Sequence, residues 1–120
     1  MRNLLENTRR PDITFNRNGR IFITARVARI LSISPGDTIN VAVMGEEYML
    51  FAQHKSIGRH TATCYPTKKG SNNFCANSAQ LSRAMLEAIQ FTGDRATFMV
   101  GKEVTMHGTV YCPIITRMPL

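Results

Sequence analysis

Negative charge is scarce: the 120 residues carry 8 Asp and Glu against 15 Lys and Arg, a formal charge of +7. Long apolar runs are also missing. No stretch approaches the roughly 18 to 20 continuous apolar residues of a membrane span, and Met1 to Arg10 is too polar for a signal peptide, so a cytoplasmic protein is expected. Cysteine is sparse and oddly counted. Cys64, Cys75 and Cys112 cannot all pair within one chain and none forms a Cys-x-x-Cys, which favours reduced thiols. The 43% hydrophobic content excludes wholesale disorder, and the length favours one compact domain or two very small ones.

Catalytic and metal-binding patterns are equally thin. The cysteines lie in strand-like runs without a nucleophile motif, Glu46-Glu47 falls in a hairpin turn, and no Gly-rich phosphate loop is present. His54, His60, Cys64 and Cys75 are suitable ligand types, but their spacing lacks the two close pairs of a structural zinc site. Neither an enzyme nor a cofactor or metal is expected.

What is present is arginine, concentrated at the front. Residues 1 to 30 hold seven arginines against Glu6 and Asp12, a local excess of +5, whereas the other ninety residues add only +2. Guanidinium is a planar fork that can grip two phosphate oxygens at once. Such a front end points to an anionic polymer.

Hydrophobic periodicity places these arginines on elements. Ile13 and Phe15 alternate, Asn18-Gly19 signals a tight hairpin, and Ile21 and Ile23 alternate again, so Arg17 falls at an exposed tip and Arg20 opens the return strand. Thr24 is placed to cap a short helix in which Val27, Ile30 and Leu31 form one stripe and Arg26 and Arg29 another face. Ser34-Pro35-Gly36-Asp37 stops that helix, and Ile39, Val41 and Val43 followed by Tyr48 to Ala52 read as two more strands, completing ββαββ.

The order recurs. Strands are expected at Thr61 to Tyr65 and Asn73 to Ala76, a helix capped by Asn77 or Ser78 carries Leu81, Met85, Leu86 and Ile89, and Ala96, Phe98 and Val100 alternate after Gly93-Asp94. Gly19 to Gly70 is 51 positions, Phe22 to Phe74 is 52 and Gly36 to Gly93 is 57, a drift explained if the second helix is about one turn longer.

The run Asn18-Gly19-Arg20-Ile21-Phe22-Ile23, a short arginine helix, Ile33 and Ser34-Pro35-Gly36-Asp37 resembles the AbrB/SpoVT family of swapped-hairpin DNA-binding domains, with MazE-type antitoxins and MraZ as relatives. The match covers about residues 12 to 53. Thr24 stands where that family usually has proline, and Ser32 where it usually has glycine. The resemblance implies a mainly β fold with short helices (α+β), in which two ββαββ copies form a swapped-hairpin barrel. Implied boundaries are a basic N-terminal arm (1 to 11), copy 1 (12 to 54), a linker (55 to 60), a degenerate copy 2 (61 to 116) and a tail (117 to 120). It also implies a transcriptional regulator that grips duplex DNA through Arg17, Arg20, Arg26 and Arg29, with Arg9 and Arg10 on the arm; a barrel closed within the chain by its two copies and a homodimer built on the N-terminal copies are equally compatible assemblies. A MazE-like antitoxin, binding a toxin as well as DNA, is the alternative. The chain lacks that group's acidic tail, ending Ile114-Ile115-Thr116-Arg117-Met118-Pro119-Leu120.

Overall fold

The computed structural model describes residues 11–54 and 62–116, so the arm with Arg9 and Arg10, the linker and the tail lie outside the described residues. The fold is mainly antiparallel β with two short helices. In chain order the elements are β1 (Ile13–Asn16), β2 (Arg20–Ile23), α1 (Ala25–Ile30), β3 (Thr38–Met44), β4 (Glu47–Gln53), β5 (Ala62–Pro66), β6 (Phe74–Asn77), α2 (Ala79–Ala88), β7 (Arg95–Phe98), β8 (Val104–Met106) and β9 (Thr109–Ile114).

The first hairpin forms where alternation and turn chemistry coincide. Ile13, Phe15, Ile21 and Ile23 are fully buried on one face. Between them Arg17-Asn18-Gly19 makes a three-residue loop closed by Gly19 N–H to the Asn16 carbonyl (2.8 Å), and Gly19 adopts φ +105°. Asn16 Nδ2 donates to the Arg20 carbonyl at 2.9 Å and holds the strands in register.

Strand order is β7-β1-β2-β6-β5-β3-β4-β9-β8, and sequence neighbours are not always spatial ones. β1 pairs with β7, Ile13 opposite Phe98, while β5 pairs with β3, Ala62 opposite Ile39. Each half thus lends its first strand to the strand that follows the other half's helix. Between them β2 and β6 pair directly, Ile21 opposite Ala76. The sheet does not close into a barrel by continuous ladders. Beyond the end of β7, however, an isolated bridge joins Val100 to Ile114, flanked by Gly101 N–H to the Pro113 carbonyl (2.8 Å) and Ile115 N–H to the Met99 carbonyl (2.9 Å).

Both halves feed one hydrophobic cluster, in which Phe15 meets Phe98 edge-on at 6.1 Å and Val27, Leu31, Met85 and Leu86 bring the helix stripes inward. α2 has ten residues against six in α1, the extra turn that the drifting offsets require.

Three expectations need correction. Thr24 does not cap α1: its hydroxyl is buried without a hydrogen-bond partner among the described residues, and the Ala25 N–H is taken instead by Asn73 Oδ1 from the second half at 2.8 Å. Ser78 does cap α2, accepting from the Leu81 N–H at 3.1 Å. The second half also has three strands after its helix, not two, because the chain detours between Val100 and Ile114 into a β8–β9 hairpin turned by His107 (φ +52°) and Gly108 (φ +79°). Finally, the alternation over β3 leaves the core: Ile39 is buried, whereas Val43 near the hairpin tip is exposed.

The helices end alike. In α1 the N–H of Ile33 reaches the Ala28 carbonyl and that of Ser32 the Arg29 carbonyl; in α2 Phe91 reaches Leu86 and Gln90 reaches Glu87. Both are Schellman closures, with Ser32 (φ +55°) and Gln90 (φ +57°) in the left-handed position that glycine occupies without strain. Ser32→Gly should therefore stabilise the fold by about 0.5–1 kcal/mol. The check is a denaturant midpoint raised at unchanged slope, and a lowered midpoint would mean that the serine hydroxyl matters more than the backbone strain.

Candidate nucleic-acid interface

Only some of the sequence-identified arginines are free to meet a ligand. Arg17 is not an exposed tip residue. Its Nη2 donates to the carbonyls of Phe91 (2.8 Å) and Gly93 (2.9 Å), and its Nε to Gly93 (3.1 Å), so the half-buried guanidinium splices the first hairpin to the α2–β7 loop. Arg83 on α2 returns the contact by donating from Nε to the Arg17 carbonyl at 3.2 Å. Arg26 lies 3.2 Å from the Oδ1 of Asp12, a buried carboxylate whose Oδ2 accepts the Val100 N–H at 2.9 Å. Arg20 projects its guanidinium over the Phe22 ring at 4.9 Å.

Arg20, Arg26 and Arg29 are the exposed members of the set, and of these only Arg26 forms an ion pair among the described residues. Arg29 borders an open cleft with Ser32, Ser34, Asn72 and Phe74, beside the turn of the second hairpin, and no described residue forms an ion pair with it. Arg20 occupies the outer face of the sheet, opposite the core. Cross-strand register assembles that face row by row. Arg95 lies opposite Asn16, Asn16 flanks Arg20 across the hairpin, and Arg20 lies opposite Asn77. The adjoining row runs Thr97, Thr14, Phe22, Cys75, Tyr65 through successive strands. Neither row contains a carboxylate. Lys68 and Lys69 stand exposed in the neighbouring β5–β6 turn.

The sequence reading missed Arg95, Phe22 and Tyr65. Arg95 was legible, because Ala96 and Phe98 point inward and period-two alternation turns residue 95 outward. Phe22 carries a similar signal, as an aromatic on the outward phase between Ile21 and Ile23.

The remaining polar groups are structural. Asp37 is buried, its Oδ2 accepting the Ser34 N–H at 2.7 Å and facing His54 Nδ1 at 2.8 Å, which closes the turn after α1. Among the described residues no group of three or more His, Cys, Asp or Glu is placed to hold a metal ion. Burial, reinforced by nearby Asp37, pushes the Cys64 thiol up to about 12, and burial chiefly pushes Cys112 up to about 11. Both stay protonated at neutral pH, and a protonated thiol is a poor nucleophile. No helix among the described residues is long and apolar enough to cross a membrane.

Comparison with protein-family models, with curated proteins and with solved structures finds no match.

Proposed function

We propose that the chain is a DNA-binding transcriptional regulator of the AbrB/SpoVT-like swapped-hairpin type, with the outer face of the β7-β1-β2-β6-β5 sheet against the duplex. The observation that carries this reading is an outward row of Arg95, Asn16, Arg20 and Asn77 without a carboxylate, built on strands that the two halves exchange. A polyanion meets cations there without first displacing an internal ion pair, and amide side chains beside them supply hydrogen bonds to phosphate or base edges.

The reciprocal pairing of β1 with β7 and β5 with β3 supports two swapped copies within one chain, and the Val100–Ile114 bridge supports a barrel whose ring is completed by the extension of β7. On this reading the second half is the partner that a single-copy protein obtains from another chain, so closure does not require a homodimer. Arg20, Arg29 and Arg95 make the contacts. Arg17 and Arg26 position the hairpin and α1, and Arg9 and Arg10 are included on charge alone.

Arg20→Ala is expected to weaken duplex binding and to flatten the dependence of log K on log salt by about 0.9, the contribution of one phosphate. Fluorescence anisotropy at several salt concentrations measures both. A slope and affinity unchanged in Arg20→Ala, Arg29→Ala and Arg95→Ala alike would sink the assignment.

A further inference from the structure

Within the nucleic-acid reading, on which this inference rests, the outer face carries a feature that a duplex does not use. Phe22 is 39% exposed and Tyr65 56% exposed, although both sit in the middle of a sheet whose opposite face is fully buried. They lie on the same row, separated by Cys75 on the intervening strand, which sets their backbones roughly 10 Å apart at ordinary strand spacing. A small residue between two large flat ones leaves both partly exposed, and the Arg20 guanidinium lies over the Phe22 ring at 4.9 Å.

Beside Phe22 opens a cleft of about 330 Å³, bordered also by Asp12, whose carboxylate is buried against Arg26 and the Val100 N–H, and by Thr14, Thr24, Thr67 and Asn73. That is at the lower end of the volumes that hold small planar ligands. Thr24 belongs to the same lining, although its hydroxyl is turned into the protein, buried and without a hydrogen-bond partner among the described residues. The region thus combines two exposed aromatic side chains with flanking cations at Arg20, Lys68 and Lys69.

We infer that this face is a base-stacking platform for single-stranded nucleic acid, Phe22 and Tyr65 taking bases of the strand and Arg20 its backbone. In a duplex the π faces of the bases are covered by their neighbours and only edges are offered, so exposed rings gain little there. Unpaired bases present those faces, and stacking on aromatic side chains is the usual way proteins hold them. The absence of carboxylates from the two rows excludes the repulsion that would oppose a phosphate chain laid across the sheet.

The test is anisotropy with a labelled single-stranded DNA of mixed sequence and with the same strand in duplex. Phe22→Ala and Tyr65→Ala should each weaken single-strand binding by about 5- to 150-fold with the salt slope unchanged, because stacking involves no counterion release. Duplex affinity should move less than about twofold, and Phe22→Tyr, which keeps the ring, should restore single-strand binding. Circular dichroism confirms that each variant is folded, as expected for exposed side chains. Undiminished single-strand affinity in both alanine variants, or equal losses on the two probes, overturns the platform. Should duplex binding remain sensitive to Arg20→Ala in that case, the regulator reading survives alone. No binding of either probe by the unmodified protein at low salt removes both.

Discussion

Gly19→Ala should cost about 3–5 kcal/mol of stability. Two penalties fall on this one residue. At φ +105° an L side chain is strained, by roughly 1–3 kcal/mol. An added Cβ would also stand 2.8 Å from the Ala79 nitrogen and 3.0 Å from its Cα, and backbone atoms at the start of a helix cannot swing aside as a flexible side chain would. Relief requires the hairpin to lift from α2, which breaks the bond from the Ser78 N–H to the Gly19 carbonyl (2.9 Å) and loosens Arg17 from the α2–β7 loop. Gly36 is the internal control. Its φ is +92°, but nothing lies within 4 Å of a Cβ there, so Gly36→Ala should cost only the conformational share, about 1–3 kcal/mol. Chemical denaturation of both variants separates strain from collision, and equal losses would show that the close approach to Ala79 contributes nothing.

Asp12→Ala is expected to be nearly as damaging, at about 3 kcal/mol. The carboxylate is almost fully buried and joins two parts of the fold, its Oδ2 accepting the Val100 N–H and its Oδ1 facing Arg26 on α1, while the Asp12 backbone N–H donates separately to the Phe98 carbonyl. Removing it strands a buried backbone donor next to the bridge that ties β7 to β9. Arg26→Ala should cost less, about 1 kcal/mol, because the Arg26 side chain is 45% exposed and the carboxylate keeps the Val100 bond. Denaturant midpoints that rank Arg26→Ala as the worse of the two would show that the ion pair, not the backbone acceptor, holds this corner.

Both predictions bear on function, since they concern the joints that place the first hairpin. Arg20 and Phe22 lie on the strand that follows Gly19, and Arg29 lies on the helix that Arg26 fastens through Asp12. Exposed arginines contact a ligand in register only when these internal anchors hold, so substitutions at Gly19 or Asp12 should lower binding along with stability.

Local elements were largely legible. Asn18-Gly19 marks a turn because Gly19 takes the positive φ that other residues resist, the Val27 and Leu31 stripe marks α1 because 3.6-residue periodicity has one apolar face, and Ser78 marks the start of α2. The gap between the offsets even anticipated the extra turn of α2. The detour of β8 and β9 was not legible, because a three-residue strand carries too little pattern to be distinguished from a loop.

What the chain alone determined, then, was each segment's shape: hairpins, helices, their inward faces and the arginine-rich front. Tertiary structure alone decided the partners. Nothing near Arg17 in sequence announces that carbonyls at Phe91 and Gly93 will absorb its charge, nothing near Asp12 names Arg26 and Val100 as its ligands, and no local signal says that β1 will pair with β7 while β5 pairs with β3. The reason is physical. Turn and helix preferences act over a few neighbouring residues, whereas strand pairing and the fate of a buried charge depend on which distant backbone groups remain unsatisfied once the core has closed.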